Sequence, residues 1–143
     1  MYYTARGKNL TKQNILDINT AQKFLDILTL HKPIQSFFDI LEVKKIAIAP
    51  FNHFAKCLIR IIDLEKIEVI GIYDQAYYKF IDGFNGINVC SYDDIEDSEV
   101  DLYIITSNYY QNDIIDDLQS RNVSLSKIVG VNTVLFGMER LKK

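Results

Sequence analysis

The strongest constraint on this chain is a succession of short, continuous apolar runs, "KKIAIA", "EVIGIYD", "DLYIITS" and "SKIVGV", separated by stretches whose apolar residues recur at three and four. A run that is apolar at every position has no solvent face. It suits a strand buried on both sides, and the helical stretches between runs supply the layers that bury it. "NHFAKCLIRIIDL" places Phe54, Cys57, Leu58, Ile61 and Ile62 on one helical face, and "YYQNDIIDDLQSR" spaces Tyr110, Ile114 and Leu118 by four. "INVCS", after the Gly- and Asn-rich turn "DGFNGIN", reads as a short edge strand. The tail "NTVLFGMERLKK" reads as a closing helix that Gly137 weakens. The expected architecture is α/β, an open three-layer parallel sheet of about five strands. Right-handed crossovers and a central first strand predict the order "INVCS", "EVIGIYD", "KKIAIA", "DLYIITS", "SKIVGV", which is 3-2-1-4-5 in sequence numbering.

With 143 residues, 48% of them hydrophobic, the chain is long enough for one core that buries about two-thirds of its unfolded surface. Residues 1–18 read as an N-terminal arm, basic over Met1 to Gln13 through Arg6, Lys8 and Lys12. Residues 19–143 read as a single domain that includes a helical hairpin over 19–42. In that hairpin Phe24, Ile27 and Leu28, then Ile34, Phe37, Phe38 and Leu41, keep helical spacing, and Pro33 separates two helices. The stripe either packs on the domain behind it or forms a homodimer contact.

A formal charge of −3 has the wrong sign to attract nucleic-acid phosphates, so no nucleic acid is expected as a partner. No apolar run approaches the roughly 20 residues needed to span a bilayer, and the polar N-terminus lacks a secretory apolar region. No membrane association is expected, and the expected location is cytoplasmic. Cys57 and Cys90 read as buried structural thiols, and with His31 and His53 far apart no metal site is legible. The run Asp93, Asp94, Glu96, Asp97, Glu99, Asp101 reads as a solvated face or a dock for a basic partner.

In open parallel sheets ligands sit beyond the carboxyl ends of the strands, where the strand order reverses. That criterion selects Pro50, Phe51, Asn52 and His53 after the first strand, Asp74 and Gln75 after the second, Thr106 to Tyr109 after the fourth, and Asn132 and Thr133 after the last. The tyrosine pairs Tyr77-Tyr78 and Tyr109-Tyr110 are expected near the same rim, either stacking on a ligand or packing locally.

The segments "KKIAIAPFNHFAKCLIRII", "VIGIYD", "FNGINVCSYDDI" and "VDLYIITS" resemble, in order and spacing, the small Rossmann-like domain that precedes the acyltransferase part of bacterial sugar acetyltransferases. Similar nucleotide-binding modules are attached to polysaccharide-biosynthesis and methyltransferase proteins. The resemblance covers roughly Val43 to Asn132. Against the G-x-G-x-x-G of such domains this chain has Pro50, Asn52 and Ala55. Alanine is small enough for the third position, but Pro50 has no N–H to give a phosphate, and Asn52 adds a side chain where the backbone approaches the pyrophosphate. One lost donor to a charged group costs about 1.5–3 kcal/mol, roughly ten- to a hundredfold in affinity. Asn52 remains a good N-cap, and Asp74 falls near the spacing of about 20 residues at which an acid meets a ribose hydroxyl.

The leading expectation is an accessory, non-catalytic Rossmann-like module with a degenerate glycine motif. It would bind a nucleotide, nucleotide-sugar or similar small ligand through Asn52, His53, Asp74, Ser107 and Asn108. No particular cofactor is indicated. The alternative is a degenerate fold that serves as an assembly or regulatory subunit without a ligand. A third reading, an enzyme acting on a sugar precursor with His53 as general base, ranks last, because no nucleophile-base pairing, Walker loop or G-x-S-x-G elbow is legible.

Overall fold

A computed structural model describes residues 10–30 and 35–140. Five strands, β1 (Lys45–Ala49), β2 (Glu68–Tyr73), β3 (Val89–Cys90), β4 (Leu102–Ile105) and β5 (Ile128–Gly130), form one all-parallel sheet in the order β3-β2-β1-β4-β5. This is the expected Rossmann-like α/β architecture. The helices are α1 (Leu10–Leu30), α2 (Gln35–Ile40), α3 (His53–Ile61), α4 (Gln111–Ser120) and α5 (Val131–Arg140). Helix α1 begins at Leu10, inside the stretch read from sequence as the arm, so positions 10–18 of that stretch are helical. Pro33 and His31 lie outside the described residues, between the end of α1 and the start of α2.

Because the β1–α3–β2 and β4–α4–β5 units step away from the centre in opposite directions, right-handed crossovers put α3 and α4 on opposite faces of the sheet. Strand residues alternate between two cores. On the α3 side Ile46, Ile48, Ile72, Leu102 and Ile104 pack with Phe24 and Ile27 of α1, Phe38 of α2, Leu58 and Ile59 of α3, and Val134 and Leu135 of α5. On the α4 side Ala47, Ala49, Tyr73, Tyr103 and Ile105 pack with Ile114 and Leu118. Here small residues make room for large ones. A side chain at Gly71 would meet the Tyr73 ring at 3.3 Å, so the missing Cβ lets that ring lie against its own strand.

The apolar faces rotate slightly from the expectation. In α3 the fully buried positions are Ala55, Leu58 and Ile59, followed by Ile62, whereas Phe54, Cys57 and Ile61 are half-buried. Helix α1 covers the flank of α3 that carries Phe54, stacking Phe24 on it with ring centroids 5.9 Å apart.

Among the described residues no α-helix links β2 to β3 or β3 to β4. Those connections are short 3₁₀ turns at Tyr77–Lys79, Tyr92–Asp94 and Asp97–Glu99. On the α4 side, the cover over β2 and β3 is therefore a turn carrying Tyr92 rather than a helix. The gap between that turn and α4 opens at the carboxyl ends of the strands.

Candidate functional site at the carboxyl ends of the strands

The β1–α3 turn is built on side chains instead of glycines. Asn52 caps α3, its Oδ1 accepting the Ala55 N–H at 2.9 Å, and its Nδ2 donates to the Thr106 carbonyl at 3.0 Å. One residue thus satisfies an orphan N–H at the helix start and ties the turn to the end of β4. Thr106, fully buried, has its hydroxyl 2.8 Å from the Pro50 carbonyl and 3.2 Å from the Ala49 carbonyl, donating to the turn from the β4 side. The Ala49-Pro50 peptide is cis.

Asp74 closes the turn. Its Oδ2 accepts the Phe51 N–H at 2.9 Å and its Oδ1 accepts the Ala76 N–H at 2.7 Å. The Phe51 N–H lies in the stretch whose amides face a pyrophosphate when the turn is glycine-rich, and here a carboxylate of the same chain holds it. Phe51 is further fixed by Phe80, edge to face at 4.8 Å, and by the Lys56 ammonium 5.2 Å from its ring centroid.

The remaining residues singled out from sequence are also engaged. Ser107 Oγ accepts the Tyr110 N–H at 2.9 Å and so starts α4. Asn108 reaches away from the β1 turn: its Nδ2 donates to Asp17 Oδ1 at 2.9 Å and Thr20 Oγ1 at 3.0 Å, and its Oδ1 accepts from Asn132 Nδ2 at 2.8 Å. Thr20, fully buried, sits 2.7 Å from Asn132 Oδ1 and 2.8 Å from the Leu16 carbonyl, with one hydroxyl proton for the two acceptors. This network straps α1 across the ends of β4 and β5. His53 opens α3 on its exposed side, 3.6 Å from Cys57 Sγ. The structure therefore brings Asn52 and Asp74 together at one turn, places Ser107 at the adjacent strand end, and turns Asn108 and His53 elsewhere.

A cavity of about 200 Å³ opens beside this turn, lined by Pro50, Phe51, Asp74, Ala76, Tyr92 and Ile114 among others. It continues past Gln75 and Tyr92 into a broader polar groove of about 460 Å³ that reaches Ser91, Asp93, Asp117 and Arg121. Arg121 is doubly held, 2.7 Å from Asp93 Oδ1 and 3.2 Å from Asp117 Oδ1. Tyr92 and Ile114 were not singled out as site residues from sequence. Tyr92 lies in a turn whose approach to α4 depends on the missing β3–β4 helix, and the only sequence signal was its place straight after the "INVCS" strand.

Below the sheet ends, burial pushes the Tyr73 phenol up to about 12, and Cys90 beside it is raised chiefly by burial and then by Asp94. Both cysteines are free and half-buried, not fully buried as expected. Among the described residues no group of three or more His, Cys, Asp or Glu side chains is placed to hold a metal ion. Nor is any helix there long and apolar enough to cross a membrane.

These features define a class: an open parallel α/β domain of Rossmann-like type whose first strand-to-helix turn is closed by its own carboxylate, with a cleft beside it. Residues 42–129 match the family model described as C2185-like, N-terminal, and since that is more than half of the chain, the protein belongs to this family. The matched region runs from the residue before Val43 into β5, and so contains the whole cleft while excluding α1 and α2. No curated protein and no solved structure gives a significant match to the chain.

Proposed function

We propose that this chain is an accessory, non-catalytic binding module that holds a small ring-bearing ligand related to nucleotides and nucleotide-sugars, of about the size of their ring components, at the carboxyl ends of β1 and β2. The observation that carries the reading is the cavity lined by Pro50, Phe51, Ala76, Tyr92 and Ile114, mainly apolar, with the Asp74 carboxylate at its wall. Clefts of this composition, at the reversal point of a parallel sheet, are where such folds take ligands. Asp74 keeps lone pairs beyond those used by Phe51 and Ala76, and these suit a ligand hydroxyl or amine. Of the residues expected from sequence, Asp74 faces the ligand, whereas Asn52 and Ser107 shape the loops around it. Asn108 and His53 stand outside the cleft. The reading is non-catalytic because the His53–Cys57 contact lies on the outer side of α3 and neither residue lines the cavity.

The test is calorimetric titration of the folded chain with nucleosides, nucleotides and nucleotide-sugars, repeated on Ala76→Trp, which fills the cavity from a half-exposed turn. Saturable heat that vanishes in the variant supports the reading. Absence of heat for every compound overturns it.

A second reading, a homodimer or assembly subunit, is favoured by α1. Its face opposite Thr20, Phe24 and Ile27 exposes Ile15, Ile18 and Leu25, at spacings of three and seven. Sedimentation equilibrium of the chain and of Ile18→Glu decides this reading: a strict monomer removes it.

A further inference from the structure

We infer that the cleft selects a neutral or cationic ring-bearing ligand over its phosphate ester; this rests on the binding reading above and names the chemical class the site accepts. The volume bounds the part of the ligand that enters the inner cavity. An apolar cavity of roughly 150 Å³ accommodates benzene, so the cavity of about 200 Å³ takes one substituted ring, against Phe51, Tyr92 and Ile114.

Charge and hydrogen bonding fix the rest. Among the described residues that line the cavity and its groove, Asp74, Asp93 and Asp117 stand against one cation, Arg121. That guanidinium is held at 2.7 Å by Asp93 and at 3.2 Å by Asp117, so its charge is already matched within the wall. Three backbone donors beside the cleft are matched as well: the Phe51 and Ala76 N–H groups both end on Asp74, and the Tyr110 N–H ends on Ser107. A phosphate entering here meets carboxylates where a phosphate site offers N–H groups and cations. An amine or a hydroxyl meets acceptors. The same Asp74 that replaces the glycine-rich turn thus sets the specificity of the cleft beside it.

The experiment titrates the full chain with uridine, adenosine and glucosamine, each beside its own phosphate monoester, and repeats the series in Ala76→Trp and in Asp93→Asn/Asp117→Asn. The expected result is that an unphosphorylated member binds, that its ester binds weaker by about tenfold or more, and that Ala76→Trp abolishes both. The Asp93→Asn/Asp117→Asn chain, in which Arg121 is released and two negative charges are gone, narrows the gap. An ester that binds as tightly as its parent, and is lost in Ala76→Trp, overturns the inference while leaving the binding reading intact. No binding by any member, or binding indifferent to Ala76→Trp, overturns both.

Discussion

Asp74 accepts the Phe51 N–H at 2.9 Å, so the second carboxyl-terminal loop of the sheet supplies the anion that the first loop is otherwise built to capture from solution. With the Phe51 N–H already held by Asp74, the turn closes without a glycine. Asn52 and Thr106 complete the closure by joining α3 and β4 around Pro50.

Asp74→Ala leaves the Phe51 and Ala76 N–H groups without their acceptor. Bonds to a charged acceptor contribute about 1.5–3 kcal/mol each in buried settings, and Asp74 is half-buried. The expected loss is about 2–3 kcal/mol, read from urea denaturation. Asp74→Asn is expected to lose about half as much, since one side-chain oxygen still accepts while its amide faces the other N–H. A loss below about 0.5 kcal/mol for Asp74→Ala means the carboxylate does not hold the turn.

Restoring a glycine at the second motif position is not expected to create a dinucleotide site. Asn52→Gly removes the cap on Ala55 N–H and the link to Thr106, at an expected cost of about 1–2 kcal/mol in thermal or urea unfolding. Titration of this variant with NAD is expected to give no heat, because the Phe51 N–H is still held by Asp74. Tight binding by Asn52→Gly alone refutes that account.

Thr20→Val keeps the shape of a fully buried side chain and deletes the hydroxyl that joins Asn108 and Asn132. Leaving those amides short of a partner costs about 1–3 kcal/mol. The effect is expected to be local first: hydrogen exchange accelerates in α1 over residues 16–24, with β1 and β4 still protected. Uniform acceleration through the sheet contradicts the view of α1 as a strap.

Acid sensitivity is expected at Asp101. Its carboxyl lies below its ordinary 3.8, chiefly because it accepts the Lys44 N–H, with the Lys45 N–H and nearby lysines adding to this against a smaller opposing effect of burial. A folded value below the unfolded one means the contribution is complete above pH 3.8 and is lost as pH falls through the folded value. Urea midpoints measured from neutral pH down through this range are expected to fall less steeply for Asp101→Asn than for the unaltered chain. Parallel slopes contradict the assignment.

Much of the fold was legible because it depends on local periodicity. Ile46, Ile48, Ile104 and Ile105 sit in runs with no polar face, and such runs have few resting places other than a covered parallel sheet. The crossover rule then left one strand order, and Asn52 as N-cap followed from its place before "HFAKCLIRI". The site was legible only as an address. Which loops meet at the sheet edge follows from topology, yet where Asp74 and Asn108 point does not, since a strand-end acid can turn toward solvent, ligand or backbone with equal local cost.

The pattern of apolar runs by itself determined the layers, the strand order and the loops that form the rim, because burial of strand faces is dictated residue by residue along the chain. Tertiary packing alone decided that Asp74 closes the β1 turn, that α1 is strapped to Asn108 through Thr20, and that Tyr92 and Ile114 face each other across a cleft. Those contacts join residues distant in sequence, and the free energy that selects them exists only once the sheet has brought its carboxyl ends together.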